Sequence, residues 1–423
     1  MNFEDTPQEA AFRAKARAWL ERNARLRPPG EIAPNMLGER ESADVIQKAK
    51  DWQTKKFDEG WAVLTWPKEY GGQGLGRLEA VVWSQEEAKF DVPPNIYAIG
   101  HGMLGPTLMA HGSDEQKKQY IREMARGQVV WCQLFSEPDA GSDLAGLRTS
   151  AVKDGGPRTP SESSDWVING QKIWSTGAHF SDFGMIVTRT DPNAAKHAGL
   201  TYFIVDMKAP GVEVRPIKQI NGASGFNTVF FGDVRVPDAN RLGSVGDGWR
   251  VAITTLMNER VAIGAGGGAG RFRDLLKLAR ETKRNGRPAI EDSSVRQKLA
   301  DFYIRSKGLQ YTGYRTLSAL SRGATPGPEG SIGKAVGAPL GQEMASFAME
   351  MQGVMGAVDD ESVSPQAGLW QEMYLGTPGI RIAGGTDEIL KNIIAERVLR
   401  LPPEIRVDKD RPFREIPTGS TKK

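Results

Sequence analysis

Cysteine is almost absent from this 423-residue chain, which carries only Cys132. An intrachain disulfide and a thiolate metal cluster both need more than one thiol, so neither is possible. The four histidines are scattered, and no two of them have the spacing of a metal-ligand pair. Apolar runs of the roughly 20 residues that a membrane span needs are also lacking. The sequence therefore excludes a disulfide-stapled scaffold and gives no sign of a membrane-spanning helix.

Charge of one sign is equally scarce. The chain has 55 Lys and Arg against 52 Asp and Glu, a formal net charge of +3. That excess is too small to indicate nucleic-acid binding, although a mildly basic surface suits a polyanionic small molecule. The first residues, MNFEDTPQEAAFR, are acidic and lack the apolar stretch of a secretory signal. We therefore expect a cytoplasmic protein.

The pattern of apolar and polar residues changes twice along the chain. Residues 1–127 carry helical patterns, beginning with a capping box at Thr6 and Glu9. Residues 128–242 read as strands, and residues 243–402 return to helical spacing. The sequence predicts an α+β protein with a β-domain between two helical domains, followed by a polar, loosely ordered tail at 403–423.

One strand pair in the β-region has a specific turn signal. Trp166 to Ile168 and Lys172 to Trp174 flank the dipeptide Asn169-Gly170. Because Asn-Gly readily takes the positive φ angles of a tight turn, this pattern predicts a β-hairpin.

A glycine-rich stretch resembles a dinucleotide fingerprint but lacks its context. Residues 264–269 fit the pattern G-x-G-x-x-A. That fingerprint must follow a strand, so that a phosphate meets a helix N-terminus. Here the preceding residues 251–263 have helical periodicity, which favours small residues that let helices pack closely.

The same helix carries an unusual carboxylate. One face of it reads, in order, Ala252, Thr255, Leu256, Glu259, Ala262, Ile263 and Gly266. If that face is buried, desolvation should raise the pKa of Glu259, as a general base requires. The alternative is a structural carboxylate that pairs with an arginine, such as the adjacent Arg260. The pattern alone leaves both readings open.

Four motifs then resemble those of the acyl-CoA dehydrogenase family, and they occur in family order. The run 132–143 is similar to a strand entering E-P-x-A-G-S-D, and 170–176 resembles G-x-K-x-W-[IS]-T. Residues 384–389 resemble the C-terminal loop that meets the flavin, and 66–72 resemble part of the N-terminal domain. The resemblance covers nearly the whole chain and implies a helical, β and helical-bundle architecture with FAD as cofactor.

The resemblance also implies where the cofactor lies. Isoalloxazine has a hydrogen-bonding edge and an apolar face, so its site needs fixed donors and aromatic walls. Ser136 would donate its hydroxyl at the pyrimidine end, and Gly141 and Ser142 would let backbone N–H groups approach FAD phosphates or the pantetheine arm of CoA. The FAD-contacting residues that the resemblance implies are Gln133, Phe135, Ser136, Gly141, Ser142, Trp174, Ser175, Thr176, Gly353, Gly385, Thr386 and Glu388.

The catalytic base is not where many family members have it. They place a glutamate immediately before Gly-Thr in the C-terminal loop, and this chain has Gly384 there. A branch resembling isovaleryl- and long-chain acyl-CoA dehydrogenases carries its base on the long helix in an L-x-x-E-R pattern, which here is Leu256 to Arg260. The resemblance therefore implies that Glu259 is the base and that Gly384 keeps only its backbone N–H as an oxyanion donor. Arg260 and Ser142 are the implied substrate contacts, and a structural role for Arg260 stays open.

Two other positions depart from the family. Relatives hold the FAD adenosine across a subunit interface with an arginine, where this chain has Thr282, and with a glutamine, where it has Glu350. A carboxylate near phosphates is unfavourable unless an arginine intervenes. Either the cofactor is held differently or the partner subunit is a paralogous chain, and Glu259 makes this chain the candidate catalytic subunit.

The resemblance implies α,β-desaturation of an acyl-CoA. Glu259 would take the α-proton, the β-hydride would pass to flavin N5, and an electron-transfer flavoprotein would accept the electrons. Two alternatives stay open: an acyl-CoA oxidase on the same fold, and a non-catalytic acyl-CoA-binding subunit. Gly384 and the small residues at 264–270 suggest room for a branched acyl group or a sterol side chain, although those glycines could serve helix packing alone.

Overall fold

The computed structural model describes residues 5–28, 42–155, 165–264, 271–321, 327–358, 360–405, 408 and 410–416, without the side chains of 260–264, 317, 320 and 321. Within those ranges, no helix is both long and apolar enough to cross a membrane. The same ranges contain no group of three or more His, Cys, Asp or Glu side chains arranged to hold a metal ion.

The N-terminal region is helical, as the sequence predicts. Its first helix begins with a complete capping box, since the Thr6 hydroxyl accepts from the Glu9 N–H and the Glu9 carboxylate accepts from the Thr6 N–H. A cluster of tryptophans, with Trp61 stacked on Trp83 at 4.8 Å, fills the space between these helices. The elements are α1 (Pro7–Asn23), β1 (Arg25–Leu26), α2 (Ala43–Asp58), α3 (Arg77–Glu87), β2 (Phe90–Asp91), α4 (Gly105–His111) and α5 (Asp114–Arg126). A π-helical turn, Gly100–Leu104, leads into α4.

The middle region is an eight-stranded sheet. Its strands are β3 (Trp131–Leu134), β4 (Ser150–Lys153), β5 (Trp166–Lys172), β6 (Phe183–Arg189), β7 (Leu200–Asp206), β8 (Val212–Ile217), β9 (Phe226–Val236) and β10 (Arg241–Leu242). The sheet runs in the order β10-β7-β6-β4-β5-β9-β8, and β3 pairs with β6 in parallel. The first family motif, residues 132–143, begins within β3 and continues beyond its end.

The predicted hairpin at Asn169-Gly170 is wrong. Residues 166–172 form one continuous strand, and the register shift between Ile168 and Gly170 marks a bulge against β9. A Cβ on Gly170 would lie 2.6 Å from the Thr149 hydroxyl and 2.7 Å from its Cα, so close approach of β4 requires glycine there. The Asn169 amide group bonds to Asp233. Asp233, with a φ of 52°, is the extra residue of β9 at this bulge.

The C-terminal region is a helical bundle around its own core of Leu, Met, Phe and Trp side chains. The helices are α6 (Gly248–Gly264), α7 (Phe272–Glu281), α8 (Ser293–Ser321), α9 (Ser331–Gln352), α10 (Leu369–Ile380) and α11 (Asp387–Ile393). A small hairpin, β11 (Lys283–Arg284) and β12 (Arg287–Pro288), follows α7. The α6 helix packs against the π-helical turn, α4, β7 and α9, so it touches all three regions.

The tail is not loosely ordered over residues 412–416. Phe413 is buried with its ring 3.6 Å from the Arg189 guanidinium, and the backbone N–H groups of Phe413 and Arg414 donate to carbonyls of Ala194 and Pro192. One apolar residue in a polar segment is enough to dock it, because the cation–π contact and the backbone bonds act together. Residues 417–423 lie outside the described part of the chain.

Candidate active site

The first motif leaves the sheet at the end of β3. Phe135 and Glu137 are buried, Ser136 between them is partly accessible, and a tight turn pairs Glu137 with Ala140 through N–H···O bonds of 3.0 and 3.1 Å. Beyond the turn, Gly141 and Ser142 are exposed. A Cβ on Gly141 would meet nothing within 4 Å, so no described atom of the chain requires glycine there. The open space beside Gly141 is compatible with the close approach of a ligand.

A buried ion pair ties the first motif to the second. The Lys172 ammonium, fully buried, donates to the Phe135 carbonyl at 3.0 Å and to the Glu137 carboxylate at 2.8 Å. Burial lowers the pKa of Lys172, and the attraction of Glu137 opposes that shift. For Glu137, burial would raise the pKa, but Lys172 and the hydrogen bonds from the 148 and 149 region outweigh it and the pKa lies below its ordinary value. The pair is charged, and it fixes the loop that presents Ser136.

The second motif continues from Lys172 into an outward-facing aromatic. The Ile173 N–H donates to the Ser136 carbonyl at 2.8 Å, so the two motifs run side by side. Trp174 has a φ of 61° and 55% of its surface exposed. A bulky residue in the left-handed region is a strained conformation of the kind found at ligand sites. Ser175 is buried, and its hydroxyl has no hydrogen-bond partner among the described residues.

These features fit an isoalloxazine ring. An exposed aromatic face stands beside a partly accessible hydroxyl at Ser136 and an unpartnered hydroxyl at Ser175, which is the combination of wall and donors that the ring needs. Thr176 is exposed next to them. The side-by-side course of the two motifs thus brings together five residues, of which Trp174 and Thr176 are exposed, Ser136 is partly accessible, and Phe135 and Ser175 lie beneath them.

On the other side of the site, Glu259 lies on a buried face of α6. Only 8% of its surface is exposed, and its Oε2 atom is 3.5 Å from Nε2 of Gln133 on β3. Ala252 and Thr255 on the same face are fully buried, as the sequence pattern requires. The side chain of Arg260 and residues 265–270, including most of the glycine-rich stretch, lie outside the described part of the structure.

A hydroxyl cluster sets the rotation of α6. One turn before Glu259, the Thr255 hydroxyl is 2.9 Å from that of Thr107 on α4 and 3.1 Å from that of Tyr202 on β7. Both contacts are buried, so they bind α6 to the N-terminal helices and to the sheet at one point. With α6 fixed there, Glu259 faces the end of β3.

The Gly384 loop reaches the same place from the C-terminal side. Gly384 and Gly385 have φ angles of 64° and 96°, which side-chain-bearing residues rarely adopt. The Lys334 ammonium, on α9 and only 7% exposed, donates to the Gly385 carbonyl. The loop is closed by Arg381, which pairs with Asp387 at 2.5 Å, and by the Thr386 hydroxyl, which caps α11. Within the described residues, no protein acceptor meets the Gly384 N–H.

Sequence reasoning missed Lys334. Burial lowers its pKa, whereas the carboxylates of Asp387 and Glu259 oppose that shift. The signal was available, because Lys334 is the only charge in the small and apolar run Ser331–Gly341. Like Glu259 on α6, this lysine is a lone charge among small and apolar residues of one helix.

The adenosine-side residues are not part of this cluster. Gly353 follows the end of α9, 19 residues beyond Lys334, and at 1.5 Å per helical residue that is about 28 Å away.

Thr386 and Glu388 line a surface cavity of about 280 Å³ with Arg381. A second cavity of about 500 Å³ contains Glu350 and shares Arg381 with the first. Glu350 and Arg381 therefore line the same cavity, in which Arg381 bonds to Gln342, about two helical turns before Glu350 on α9.

Comparisons with known proteins agree on one family from residue 6 to residue 399. Models of the acyl-CoA dehydrogenase family match residues 6–128 for the N-terminal domain, 132–234 for the middle domain and 246–399 for the C-terminal domain. The chain is 35% identical over 399 residues to "Acyl-CoA dehydrogenase IpdE1" of Mycolicibacterium smegmatis, with 93% of this chain and 98% of that protein covered.

Two solved structures share the fold. One is described as "Tcur3481-Tcur3483 steroid ACAD", with a TM-score of 0.78, 28% identity, and 96% of this chain and 100% of that chain covered. The other is the ChsE4-ChsE5 complex from Mycobacterium tuberculosis, with a TM-score of 0.75, 30% identity and the same coverage.

Proposed function

The chain belongs to the acyl-CoA dehydrogenase family and is an oxidoreductase acting on acyl-CoA, and on that premise we propose that Glu259 is the base of its α,β-dehydrogenation. The supporting observation is the 3.5 Å approach of the buried Glu259 carboxylate to Gln133, at the end of the strand that carries the first motif. A carboxylate from the helical bundle thus lies next to the surface that fits the flavin.

Three residues of the chain have distinct parts in this reaction. Glu259 removes the α-proton of the thioester, and the Gly384 N–H donates to the thioester oxygen as negative charge develops on it. Glycine at position 384 leaves that donor in place and leaves volume for the carboxylate that arrives from α6. Gln133 orients the Glu259 carboxylate through its amide.

FAD would be held by the surface of Phe135, Ser136, Trp174, Ser175 and Thr176, with Gly141 and Ser142 near its phosphates or the CoA arm. When bound, FAD supplies the acceptor for the β-hydrogen and its electron pair. The Glu137–Lys172 pair keeps that surface in one arrangement, so little ordering accompanies binding.

We assign a bulky, steroid-derived acyl group as the substrate class and a paralogous chain as the partner subunit. One structural relative is named as a steroid enzyme of this family, and both solved relatives are named as pairs of chains. A second chain would supply the adenosine contacts that Thr282 and Glu350 do not provide. An electron-transfer flavoprotein is the proposed acceptor.

The decisive experiment is Glu259→Gln in the FAD-loaded enzyme, with its partner subunit where the two purify together. We expect flavin bleaching by acyl-CoA to slow by at least about 1,000-fold, because the isosteric amide cannot take a proton. FAD content should remain that of the wild type. Glu281→Gln, an exposed glutamate at the end of α7, is the matched control and should bleach normally.

Three results would contradict parts of this proposal. Bleaching of Glu259→Gln at the wild-type rate would remove Glu259 as the base. Oxygen consumption with acyl-CoA and no added acceptor would indicate an oxidase. A protein that binds acyl-CoA but neither holds FAD nor bleaches, even with its partner, would be the non-catalytic subunit. Screening straight, branched and steroid acyl-CoAs tests the substrate class.

A further inference from the structure

The position of Lys334 is energetically unfavourable for a charged side chain. Its ammonium is almost fully removed from solvent, and it stands four residues into α9, near the positive end of that helix's dipole. If Lys334 only filled space there, a methionine of similar length would make the folded protein more stable. A cation there needs stabilising partners: the ammonium donates a hydrogen bond to a carbonyl, and the negative charges that act on it are carboxylates.

The carbonyl partner belongs to the loop that carries the proposed oxyanion donor. Lys334 donates to Gly385, immediately after Gly384, and both glycines have positive φ angles. Two adjacent glycines have more accessible backbone conformations than any other dipeptide, so a loop built from them needs an external tether to keep one orientation. Arg381 and Asp387 close the ends of this loop, whereas Lys334 holds its middle.

The carboxylate partners are unequal. Asp387 is already paired with Arg381, at 2.5 and 2.7 Å, although its other oxygen is buried without a hydrogen-bond partner among the described residues. Glu259 on α6 is the second carboxylate whose charge acts on Lys334, and α6 packs against α9. Because the attraction is mutual, the ammonium favours the ionised form of Glu259, which is the form that can accept a proton.

We propose that Lys334 is the positioning residue of the base side of the active site, holding the Gly384 N–H in its orientation through Gly385 and keeping Glu259 ionised. This inference rests on the proposed roles of Glu259 and Gly384. Lys334 touches neither substrate nor the reacting atoms in this arrangement, so it acts through the loop and through the base. The charged groups of the described chain that face it are Glu259 on α6, Asp387 on α11 and, behind Asp387, Arg381.

Three variants separate the two effects. Lys334→Met removes both the donor and the charge, Lys334→Gln keeps a donor without the charge, and Lys334→Arg keeps both. Lys56→Met is the matched control, because Lys56 is another partly buried lysine, paired with Glu87 at 3.2 Å in the N-terminal helices away from the site. All are compared per bound FAD, in the complex with the partner subunit where one is present.

We expect Lys334→Met to lower kcat by about 10- to 100-fold with a smaller change in KM, since a transition-state donor is misplaced rather than removed. The acid limb of its kcat profile should move to higher pH, because Glu259 then protonates more readily. Lys334→Gln should keep the shifted acid limb but lose less rate, and Lys334→Arg should recover both. Lys56→Met should lose stability without any change in the pH profile.

Hydrogen exchange gives a readout that does not need turnover. Amide exchange in a peptide covering 382–386 should accelerate in Lys334→Met and stay near the wild-type rate in Lys334→Gln and Lys56→Met. Wild-type exchange and an unshifted acid limb in Lys334→Met would overturn the proposal. If none of the acyl-CoAs bleaches the flavin of the wild-type enzyme, the proposed function is refuted instead. Amide hydrogen exchange in the loop would still show whether Lys334 tethers it.

Discussion

Two buried lysines, Lys172 and Lys334, each hold a loop of the candidate site, and they do so in different ways. Lys172 lies inside the β-domain, where Glu137 is a direct hydrogen-bonded counter-charge and the Phe135 carbonyl is a second acceptor. Lys334 joins separate helices of the bundle, and its described hydrogen bond is to a carbonyl. The surface that we propose for the flavin is thus fixed by an ion pair within one region, whereas the proposed base side is held by a contact between α9 and the loop before α11.

This difference would let the proposed base come from α6 without any change in the motifs that we propose to face the flavin. A carboxylate that comes from α6 instead of the Gly384 loop leaves the Glu137–Lys172 pair untouched. The loop needs only its backbone N–H and its tether. The region that binds the cofactor is therefore expected to tolerate substitution less well than the region that supplies the base.

The largest expected effect is that of Lys172→Met. Removing the ammonium leaves the Glu137 carboxylate buried without its counter-charge, which costs about 3–5 kcal/mol of unfolding free energy. Urea unfolding monitored by tryptophan fluorescence measures the loss, and FAD retention should fall with it. Lys334→Met should lose clearly less, because its partner is a carbonyl; equal losses would break the comparison.

A double variant serves as its control. Lys172→Met combined with Glu137→Leu removes both charges together, so a substantial part of the lost stability should return. If the double variant is as unstable as Lys172→Met alone, the loss comes from packing and not from the unpaired carboxylate.

Acid should weaken the same pair, with a smaller effect. The pKa of Glu137 is lower in the folded protein than its ordinary value of 4.5, so its contribution to stability is complete above that pH and disappears as the pH falls below it. Glu137→Gln cannot titrate, so its unfolding free energy should depend less steeply on pH in this range. Urea unfolding at a series of pH values between about 3 and 7 tests this, and parallel curves for the two proteins would contradict it.

The smallest expected change in stability is that of Trp174→Asn. Asparagine tolerates positive φ and Trp174 is largely exposed, so the unfolding free energy of the FAD-free protein should change by less than about 1 kcal/mol. FAD should dissociate about 2- to 13-fold faster, since an aromatic contact contributes about 0.5–1.5 kcal/mol. Unchanged FAD retention would show that Trp174 does not contact the ring.

The sequence predicted the order of the three regions, and helical periodicity singled out the face of α6 on which Glu259 is buried, although the pattern alone left the role of that carboxylate open. It could not distinguish two Asn-Gly pairs. Asn169-Gly170 lies in a continuous strand, whereas Asn285-Gly286, with φ angles of 52° and 81°, forms the two-residue turn between β11 and β12. At Gly170 the close neighbour is Thr149, the residue just before β4, and a contact with so distant a residue is not encoded in the local sequence.

The parts of the site that escaped prediction depend on contacts between distant segments. Thr107, Tyr202 and Thr255 meet from three regions of the chain, and none carries a motif of its own. Phe413 returns the C-terminal segment to Arg189, more than 200 positions earlier, so composition alone suggested a loose tail. The domain boundaries and the individual roles of the predicted cofactor contacts remain predictions.

The bulge in β9 has a consequence for how this chain can vary in length. Before Asp233 the inward-facing side chains have odd numbers, such as Val229 and Phe231, and after it they have even numbers, such as Val234 and Val236. Deletion of that single residue would leave Gly232 alone opposite Asn169, so the alternation would become regular and both halves of the strand would keep their apolar side chains inward. Of all single-residue deletions in the sheet, this one should therefore be among the best tolerated, at the cost of the hydrogen bonds between Asn169 and the exposed Asp233.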